Sequence, residues 1–593
     1  MAFKILKYSK LSKAKNTLII SLFLTLWACK TPMIDENLPS DDSIRLNQIG
    51  FYPDQQKLAI IVGKQSPVEF SLWDKAQKET VYHGVTTSID EKTLSGKSVS
   101  QADFSDFDVS GEYVLIVNQR GKSYPFQIGP SINNALAKAS LKAFYFQRAS
   151  TALEAEFAGE WSRVIAHRDD NVQIHPSAGS TNYPKGTIIS APFGWYDAGD
   201  YNKYIVNSGI TVGTLLSLYE DYESFFLTQN LNIPESKNQI ADILDEVRWN
   251  LDWMIAMQDP EDGGVYHKLT TAKFEGMVSP DLAISQRYVV AKSTSATLDF
   301  SAVMAQASRV YKFISPEKSI IYLKAAEKAW NWAIANPPIV YNQEELNATF
   351  DPDISTGAYG DQVLEDEWVW AASELYITSH NLRYWEHLKD ADLNFQLPSW
   401  NEVSWLGFYS LLRHQQQLSQ IPNEWLSTVK INLLQAARKL VTAECGNAFQ
   451  VPMGSNSKDF IWGSNAVASN QGILLLYAYK FSSEHAFLNS AQHNLDYILG
   501  RNATGFSYVT GFGDKTPRHP HQRLAVSKPD LPPLPGFIVG GPNPGQQDKC
   551  EYLSAIPDES YSDTDCSYAS NEIAINWNAP FAYLVNALEA IHQ

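Results

Sequence analysis

Cysteine is scarce in this chain of 593 residues, which contains only four. Cys29 ends an apolar N-terminal stretch, and three cysteines follow it. Three thiols exclude more than one disulfide and leave one thiol free. Cys550 and Cys566 are the favoured pair, because they bracket a proline- and acid-rich loop and an exported protein meets oxidising conditions. Cys445 is then expected to pack as a small apolar residue.

Basic residues are also few. The chain has 47 Lys and Arg against 65 Asp and Glu, which gives a net charge of -18 and a pI near 5.2. Such a chain would repel nucleic acid and an anionic membrane surface, so neither is an expected partner, and a neutral substrate fits better. The hydrophobic fraction of 44% permits a full core. The length exceeds the usual single-domain size of roughly 50 to 200 residues, so we expect two domains, one of them large.

The N-terminus combines several lysines with an apolar run at residues 18–27, a pattern typical of a secretory signal. Leu26-Trp27-Ala28-Cys29 is similar to a bacterial lipobox, although Trp27 is unusual at its position. We therefore expect a signal peptide over residues 1–29, lipidation of Cys29 and a tether over residues 30–42. The protein is predicted to be an envelope lipoprotein, periplasmic or surface-exposed, with the lipid as its membrane anchor. The alternative is an ordinary secreted protein with an incidental cysteine.

Residues 43–130 contain short β-rich runs broken by Gly, Pro, Asn and Asp, which predicts a small β-sandwich. The clearest hairpin joins residues 114–117 to residues 123–128 through a glycine-containing turn. After Pro130 the apolar residues recur with helical periodicity to the end of the chain, so residues 131–593 are predicted to form one helical domain. In the last helix, Asn578 is expected to be the N-cap, with Pro580 in the first turn.

Roughly ten to twelve helices can be counted in this domain, which is compatible with six antiparallel pairs in a ring. Periodicity alone does not show that such a ring closes. Three long irregular segments, residues 177–202, 259–290 and 500–578, can supply loops at one end of it. All candidate chemical residues fall in or near such irregular stretches.

Two acidic clusters from distant parts of the chain suggest a split acid and base. Asp197 and Asp200 flank Ala198-Gly199, and Glu572 lies just before the final helix. Hydrolysis of a glycosidic bond needs one carboxyl group to protonate the leaving oxygen and another to activate a water. Taken alone, Asp197 and Asp200 would fit a solvated loop, and Glu572 would fit a residue that stabilises a helix N-terminus.

The residues around these acids resemble glycoside hydrolase family 9 in several separate segments. Tyr561-x-Asp563-x4-Tyr568-x3-Glu572-x-Ala574 fits the acid motif of that family, and a segment ending in Pro520-His521-Gln522-Arg523 fits its His/Arg motif. Residues 44–53 and 535–543 are also similar, so the resemblance runs from about residue 44 to the end. It implies a mainly α fold, an (α/α)6 barrel preceded by a small immunoglobulin-like β-sandwich that packs beside it.

The resemblance also implies roles for individual residues. Asp200 would be the general base, Asp197 would hold the attacking water, and Glu572 would be the acid, kept protonated by an apolar setting. Direct displacement by water inverts the anomeric centre, for which a carboxyl separation of about 6.5 to 9.5 Å is expected. Asp563 belongs to the catalytic motif and is expected to shape the loop around Glu572. No cofactor is required for this chemistry.

His521 and Arg523 are expected to hold sugar hydroxyls near the cleavage point, as the family motif implies. Aromatic residues make up 12% of the chain, and flat pyranose faces stack well on their rings. Most aromatics belong to the core, and those in motif loops are the better candidates for sugar subsites. The predicted subsite residues are Trp195, Tyr201, Tyr359, Trp462, Tyr508, Tyr561 and His267.

Hard oxygen ligands gather beside turn glycines between residues 356 and 367, as a calcium site requires. The family often has structural calcium here, and the predicted ligands are Thr356, Gly357, Asp361, Asp366 and Glu367. The spacing lacks the regularity of an EF-hand, and an acidic helix N-terminus is the alternative.

The favoured function is an inverting endo-β-1,4-glucanase that acts as a monomer on cellulose, mixed-linkage glucan or xyloglucan. An exo-acting member that releases small sugars from chain ends is the close alternative. A glycan-binding lipoprotein that has lost catalysis represents another class, but the intact Asp197, Asp200 and Glu572 argue against it. A helical polysaccharide lyase would prefer a basic cleft. No carbohydrate-binding or dockerin-like segment follows the barrel, which favours soluble or loosely packed glucans.

Overall fold

A computed structural model of the chain describes residues 38–63 and 67–593. The predicted signal peptide, the lipidation site Cys29 and most of the predicted tether lie outside the described residues. Residues Ser40–Gln593 form one compact unit. Within the described part of the chain, no helix has the length and apolarity needed to cross a membrane.

The N-terminal region is a β-sandwich, as predicted. One sheet has the order β1-β3-β7-β6, and the other has the order β2-β10-β8-β4-β5 with β9 beside β8. The sheets enclose Phe51, Phe104 and Phe126, whose ring centroids lie 5.4 to 5.5 Å apart. The strands are β1 (Ile44–Arg45), β2 (Gly50–Phe51), β3 (Leu58–Val62), β4 (Glu69–Asp74), β5 (Glu79–Val85), β6 (Thr87–Lys92), β7 (Ser98–Asp103), β8 (Gly111–Val117), β9 (Gly121–Lys122) and β10 (Phe126–Ile128).

The rest of the chain is mainly helical and alternates between helices of an inner and an outer layer. Five short 3₁₀ turns are also found among the described residues, at Gly159–Trp161, Pro176–Ala178, Gln415–Gln417, Ser457–Asp459 and Pro557–Glu559. The α-helices are α1 (Asn134–Phe146), α2 (Ala155–Ala158), α3 (Ile205–Asp221), α4 (Glu223–Phe226), α5 (Asp242–Ala256), α6 (Thr294–Tyr311), α7 (Pro316–Ala335), α8 (Gln343–Asn347), α9 (Glu365–Ser379), α10 (Leu382–Leu388), α11 (Ser404–Arg413), α12 (Asn423–Glu444), α13 (Ser464–Ser482), α14 (His485–Ile498), α15 (Arg523–Val526), α16 (Tyr568–Asn571) and α17 (Ile575–His592).

Among the described residues, six inner helices form a closed ring: α3, α6, α9, α11, α13 and α17. Each packs against an outer helix that adjoins it in the chain or, for α17, against α1. The inner helices α3, α6 and α17 are buried on nearly all sides, which is typical of a helix in the centre of a large domain. Tyr409 of α11 stacks on Tyr477 of α13 at 4.2 Å and completes the ring. The fold is therefore the expected (α/α)6 barrel.

The inner helices all run in the same direction. The segments just before α3, α9, α13 and α17 line one cleft. The opposite ends of these helices meet in a cluster of ion pairs that includes Glu220, Arg309 and Arg413. The positive ends of the helix dipoles therefore point toward the cleft.

A third sheet occupies part of the segments that were predicted to be irregular. It has the order β12-β11-β15-β14-β13, and β13 leads directly into α3. Its strands are β11 (Val172–Ile174), β12 (Ile188–Ile189), β13 (Lys203–Tyr204), β14 (Lys268–Thr271) and β15 (Arg287–Val289). The sheet fixes the start of α3 and thus the segment that carries Asp197 and Asp200.

The sandwich is attached to the helical domain through specific polar contacts. The Asn47 amide donates to Asp496 at 2.8 Å, and the Tyr52 hydroxyl donates to Glu589 at 2.8 Å. Gln48 donates to the carbonyl of Gly505 at 2.9 Å. These contacts anchor the sandwich to α14 and to α17, the helix that follows Glu572.

The last helix differs from its prediction. It begins at Ile575, with Ala574 as the cap residue, so Pro580 lies inside it. Asn578 is buried, where its amide donates to the carbonyl of Ser140 at 2.7 Å and its oxygen accepts from the Ile538 N–H at 3.0 Å. Asn578 therefore joins α17 to its neighbours and does not cap the helix.

Candidate active site

A cleft of about 1090 Å³ opens at the end of the barrel where the inner helices begin. Asp197, Asp200 and Glu572 all line it, together with His521 and Arg523. The structure thus brings together the acidic residues that the sequence placed at opposite ends of the domain. Its size exceeds the volume of many small-molecule sites, which is consistent with an extended ligand.

Backbone hydrogen bonds hold the contributing segments in one frame. They join the Asp197 loop to the start of α17, and they join the His521 segment to both of the others. The bonds run from Ile575 N to Asp197 O at 2.8 Å, from His521 N to Asn571 O at 2.9 Å, and from Arg523 N to Gly199 O at 2.9 Å. Because backbone groups form these bonds, the relative positions of the carboxyl groups depend little on side-chain rotamers.

Gly199 lies where these segments meet. A Cβ atom at this position would lie 2.1 Å from the carbonyl oxygen of His521 and 3.1 Å from Oε1 of Glu572. The backbone N–H of Gly199 donates to Glu572 at 3.3 Å. Only glycine permits this close approach, which explains the glycine between the two aspartates.

Asp197 is buried and held by two neutral donors. The amide of Asn207 donates to both of its oxygens, at 2.9 and 3.1 Å, and the Tyr359 hydroxyl donates at 3.1 Å. Burial and the charge of Asp200 raise the pKa of Asp197 to about 8. Asp197 is thus fixed in position and can share a proton with a bound water.

Asp200 has neighbours that stabilise its charged form. Its carboxylate accepts a hydrogen bond from the Asn202 backbone at 3.3 Å and another from the Asn202 amide. Burial raises the pKa of Asp200, and the positive charge of Arg523 opposes that shift. Of the two aspartates, Asp200 is better suited to remain ionised and to take a proton.

Glu572 has the opposite setting. Burial and the negative charges of Asp200 and Asp197 raise its pKa well above the ordinary range, and Arg523 offsets this only in part. This setting favours the protonated form of the carboxyl group, from which it can donate a proton. The cleft thus contains one carboxyl group that favours its proton and another whose neighbours favour the charged form.

His521 and Arg523 both line the cleft, where the sequence predicted substrate contacts. The Nδ1 atom of His521 donates to the carbonyl of Asp565 at 2.6 Å, and burial lowers the pKa of the ring. His521 is therefore neutral, with Nε2 as a hydrogen-bond acceptor. The Arg523 guanidinium donates to the carbonyls of Glu275 and Gly199, at 2.9 and 3.1 Å.

Asp563 does not line the cleft. Its carboxylate accepts from the backbone N–H groups of Arg518 and His519, at 2.9 and 3.0 Å, and from the Asn571 amide at 3.1 Å. These bonds tie the loop before Glu572 to the loop before His521. Asp563 therefore shapes the site through the backbone.

The aromatic predictions divide into two groups. Trp462, with 41% of its surface exposed, and Tyr359 line the cleft. The other predicted subsite residues are buried away from it and bound to protein groups, so they are corrected to structural positions. Trp195 donates to Glu246, Tyr201 to the Val278 carbonyl, Tyr561 to Asn571 and His267 pairs with Ser293 and the Ala358 carbonyl, while Tyr508 bonds to Thr504.

Other aromatic residues line the cleft but were missed. Tyr568 and Trp577 belong to the acid motif itself, and Trp400 lies just before α11. Trp400 precedes the start of its inner helix by a few residues, as Trp462 precedes the start of α13. Since inner helices begin at the cleft, aromatics preceding their N-termini were the available signal. Tyr204 and Phe274 complete the missed set.

Asp361, Asp366 and Glu367 lie together below the cleft, with carboxylate oxygens within 4.8 Å of one another. Asp299 of α6, which sequence reasoning missed, interacts electrostatically with Asp361 and Asp366. Oxygens of all four side chains are buried without a hydrogen-bond partner. Burial raises the pKa of each carboxyl group, and repulsion by neighbouring acids adds to this shift for Asp299, Asp366 and Glu367. Such a cluster has the donor set that a hard cation prefers.

Thr356 and Gly357 differ from their predicted role as cation ligands. The ammonium of Lys268 binds both residues, donating to the Gly357 carbonyl at 2.6 Å and to the Thr356 hydroxyl at 3.2 Å. Their oxygens face a positively charged group, so the predicted ligand set is corrected to exclude them.

Cys550 and Cys566 form a disulfide, which closes the loop that leads to Glu572. Within this region Asp548 accepts hydrogen bonds from the Tyr552 hydroxyl at 2.7 Å and the Ala569 N–H at 2.9 Å. Cys445 is exposed at the end of α12, in contrast to its predicted packing, because the helix turns that residue toward solvent.

Comparisons with known proteins agree with this geometry. Residues 134–585 match the profile of Glycosyl hydrolase family 9, and residues 40–122 match that of the cellulase N-terminal ig-like domain. A xyloglucan-specific endo-beta-1,4-glucanase of Bacteroides ovatus is 48% identical over 557 residues, covering 93% of this chain and 94% of the relative. Endoglucanase D of Acetivibrio thermocellus is 32% identical over 93% of this chain and 84% of its own length.

Among solved structures, a family 9 protein of Bacteroides ovatus superposes with a TM-score of 0.88 at 46% identity, covering 93% of this chain and all of that one. The family profile spans the cleft, the ring of helices and every catalytic candidate. The chain therefore belongs to glycosyl hydrolase family 9.

Proposed function

We propose that this protein is an endo-β-1,4-glucanase that cleaves its substrate with inversion. The observation that carries the proposal is the difference between the carboxyl groups of one cleft. The setting of Glu572 favours its protonated form, while Arg523 and Asn202 support the ionised form of Asp200. That difference supports Glu572 as the acid and Asp200 as the base.

In the proposed reaction, Glu572 transfers its proton to the glycosidic oxygen as the bond to the anomeric carbon breaks. A water held between Asp197 and Asp200 attacks that carbon from the opposite face, and its proton passes to Asp200. The leaving chain keeps the glycosidic oxygen and gains the proton of Glu572, while the anomeric carbon gains the hydroxyl group of the water. Glu572 becomes charged and Asp200 becomes neutral, so atoms and charge balance. This geometry requires a carboxyl separation of about 6.5 to 9.5 Å between Glu572 and Asp200.

We propose a β-glucan as the substrate, with xyloglucan favoured over unbranched cellulose. The relative from Bacteroides ovatus is specific for xyloglucan and covers nearly the whole chain. The cleft supports an extended ligand because Trp400 and Trp462 are both available to stack on sugar rings. A β-glucan is also uncharged, so the acidic protein does not repel it.

We further propose that Asp299, Asp361, Asp366 and Glu367 hold a structural calcium ion. Their unpartnered buried oxygens support this assignment, since a divalent cation would relieve the repulsion among them. The ion would hold α6 and α9 together beneath the cleft and take no part in the chemistry.

The proposed location is the cell envelope, with the protein anchored as a monomer by a lipid on Cys29. The support is the lysine-rich, apolar N-terminal sequence that ends in Ala28-Cys29. Metabolic labelling with a palmitate analogue in a bacterial host tests the anchor, and Cys29→Ser is expected to abolish the label.

The function is tested by incubating wild type and Glu572→Gln with xyloglucan, barley β-glucan, carboxymethyl-cellulose and chitosan oligomers. A rapid fall in viscosity that the substitution abolishes is the expected result. Small products without a fall in viscosity would indicate exo action. Binding without turnover by either protein would refute the enzyme and indicate a glycan-binding lipoprotein. Proton NMR of the first products should show the α-anomer.

A further inference from the structure

Lys268 is a fully buried lysine with an unusual set of partners. It lies on β14 opposite Tyr204 of β13, with 0% of its surface exposed. Its ammonium donates to the Gly357 carbonyl at 2.6 Å, to the Gln343 amide oxygen at 3.0 Å and to the Thr356 hydroxyl at 3.2 Å. All of these acceptors are neutral. A buried charge without an ionic partner is costly, so its retention calls for an explanation.

Lys203 shows the ordinary arrangement in the same sheet. It is also fully buried, and it forms an ion pair with Asp169 at 2.7 Å. For Lys268, no ion pair with a carboxylate is found in the described part of the chain. The difference means that the Lys268 charge is balanced over a longer distance.

The acceptors of Lys268 belong mainly to one loop, residues 354–361, which forms a wall of the cleft. His267, the preceding residue, also binds this loop, because its Nε2 donates to the Ala358 carbonyl at 2.8 Å. The loop carries Tyr359, whose hydroxyl donates to Asp197 at 3.1 Å. Docking by β14 therefore determines whether Tyr359 reaches the catalytic aspartate.

The charge of Lys268 also bears on the base. Burial lowers the pKa of Lys268 to about 7, and Asp200 is the charged group that opposes this shift. A Coulombic interaction is mutual, so the ammonium favours ionised Asp200. Among the groups that face Asp200, Arg523 is the other cation, Asp197 and Glu572 are acids, and Tyr204 is neutral. Lys268 and Arg523 thus offset the acids from separate elements.

We propose that Lys268 is a positioning residue for the hydrolytic reaction: it docks loop 354–361 so that Tyr359 holds Asp197, and its charge favours the ionised form of Asp200. The inference rests on the proposed function, because it presumes that Asp200 acts as the base. Lys268 touches neither the substrate nor the attacking water.

The test compares Lys268→Met with Lys268→Gln. Methionine removes both the hydrogen bonds and the charge, whereas glutamine keeps two donors and removes only the charge. Both variants should shift the acidic limb of the kcat/KM profile upward, by roughly 0.5 to 1 pH unit. Misplacement of the loop should lower kcat of Lys268→Met by about 10- to 100-fold, with a smaller loss in Lys268→Gln.

Lys292→Met is the matched control. Lys292 follows β15 in the same sheet and binds Asp259 and Asp262, away from the cleft. This variant should lose thermal stability and keep the acidic limb of the wild type. Circular dichroism establishes that each variant is folded, and Lys268→Gln decides the question if Lys268→Met does not fold.

An unmoved acidic limb in folded Lys268→Gln, with kcat unchanged, would overturn the proposal. A loss of stability alone, equal to that of Lys292→Met, would do the same. Failure of the proposed function has a different signature, because wild type itself would then show no turnover that Glu572→Gln abolishes. Activity of wild type with normal profiles in the Lys268 variants would refute the positioning role alone.

Discussion

Two clusters of buried acids lie at opposite ends of the inner helices, and their chemistry is opposite. At the cleft, the pKa of Asp197, Asp200 and Glu572 is raised. At the base of the barrel, burial alone would raise the pKa of Glu220 and Asp221, but nearby cations lower both. Burial is thus common to the two clusters. The number of cations placed beside the acids decides whether a cluster holds protons or holds the fold together.

The base cluster is built with matched charges. Arg413 contacts Glu220 at 3.3 Å and Asp221 at 2.9 Å, and Arg309 contacts Glu220 at 2.7 Å. Lys480 also pairs with Asp221. Arg309, Arg413 and Lys480 all lie in the last turn of an inner helix, where the helix dipole favours a positive charge. At the cleft end, Arg523 acts on Asp200 and Glu572, and Lys268 acts on Asp200.

The largest expected effect is the loss of kcat in Glu572→Gln, at the cleft end of the barrel. Removing the proton donor should lower kcat by about 10²- to 10⁴-fold, the usual contribution of a general acid. The melting temperature should not fall, because the glutamine side chain is uncharged and similar in size to the protonated carboxyl group that it replaces. Steady-state kinetics on xyloglucan and calorimetry provide the measurements. Glu551→Gln, at an exposed residue of the same loop region, should behave as wild type.

Asp221→Asn is the reciprocal change at the base. It removes the Asp221 carboxylate that pairs with Arg413 and Lys480, and it should cost about 3 to 5 kcal/mol of unfolding free energy, as for a broken buried ion pair. The kcat of the molecules that remain folded should stay close to that of wild type. Denaturant titration and active-site normalised kinetics separate these effects. Asp390→Asn at the surface serves as the control, and equal stability of the two variants would contradict the prediction.

Asp299, Asp361, Asp366 and Glu367 sharpen the comparison because they are buried like the base cluster but form no ion pair with any cation of the described residues. Removal of a divalent ion with a chelator should lower the melting temperature by several degrees, since RT ln(1 + [L]/Kd) of stabilisation is lost. Added calcium should restore it. Glu367→Gln should weaken this dependence, and a melting temperature that ignores both chelator and calcium would show that no ion is held.

The smallest expected effect concerns pH and stability. A raised pKa in the folded state favours protonated carboxyl groups, so the contribution of Asp197 and Glu572 is present at acidic pH and is lost as pH rises through their folded pKa values. The lowered pKa values of Glu220 and Asp221 act in the other direction, and their contribution is lost as pH falls. Melting temperature against pH should therefore decline on both sides. Glu572→Gln should flatten the alkaline side, and Asp221→Asn should flatten the acidic side.

Asp197, Asp200 and Glu572 could be proposed as catalytic because each lies in a short motif, although the contacts that require the motif are long-range. Gly199 is required by contacts with His521 and Glu572, and such requirements leave short motifs that can be recognised. The β-sandwich and the helices were also predictable from periodicity. Closure of the ring was not, since it depends on contacts such as Tyr409 with Tyr477 that no single helix reveals.

The errors share a physical cause. Trp195 lies in a motif loop, yet its indole N–H is bound by Glu246 on a different helix, and only the packed structure shows that partner. Asp299 was missed because it lies inside a helix far from the other acids in sequence. Thr356 and Gly357 have oxygens that could bind a metal ion, but these oxygens accept hydrogen bonds from Lys268 instead. Long-range partners decided each case.

The position of Glu572 has a consequence for synthesis of the protein. Glu572 is 373 residues from Gly199, its hydrogen-bond partner, and the helix that follows it contacts both α3 and α13. A growing polypeptide therefore contains Asp200 long before Glu572, and under the proposed mechanism it stays inactive until α17 docks and closes the ring. Two fragments divided between α12 and α13 would each lack half of the chemistry. Their reassociation could be followed by glucan cleavage, so that enzymatic turnover itself reports completion of the barrel.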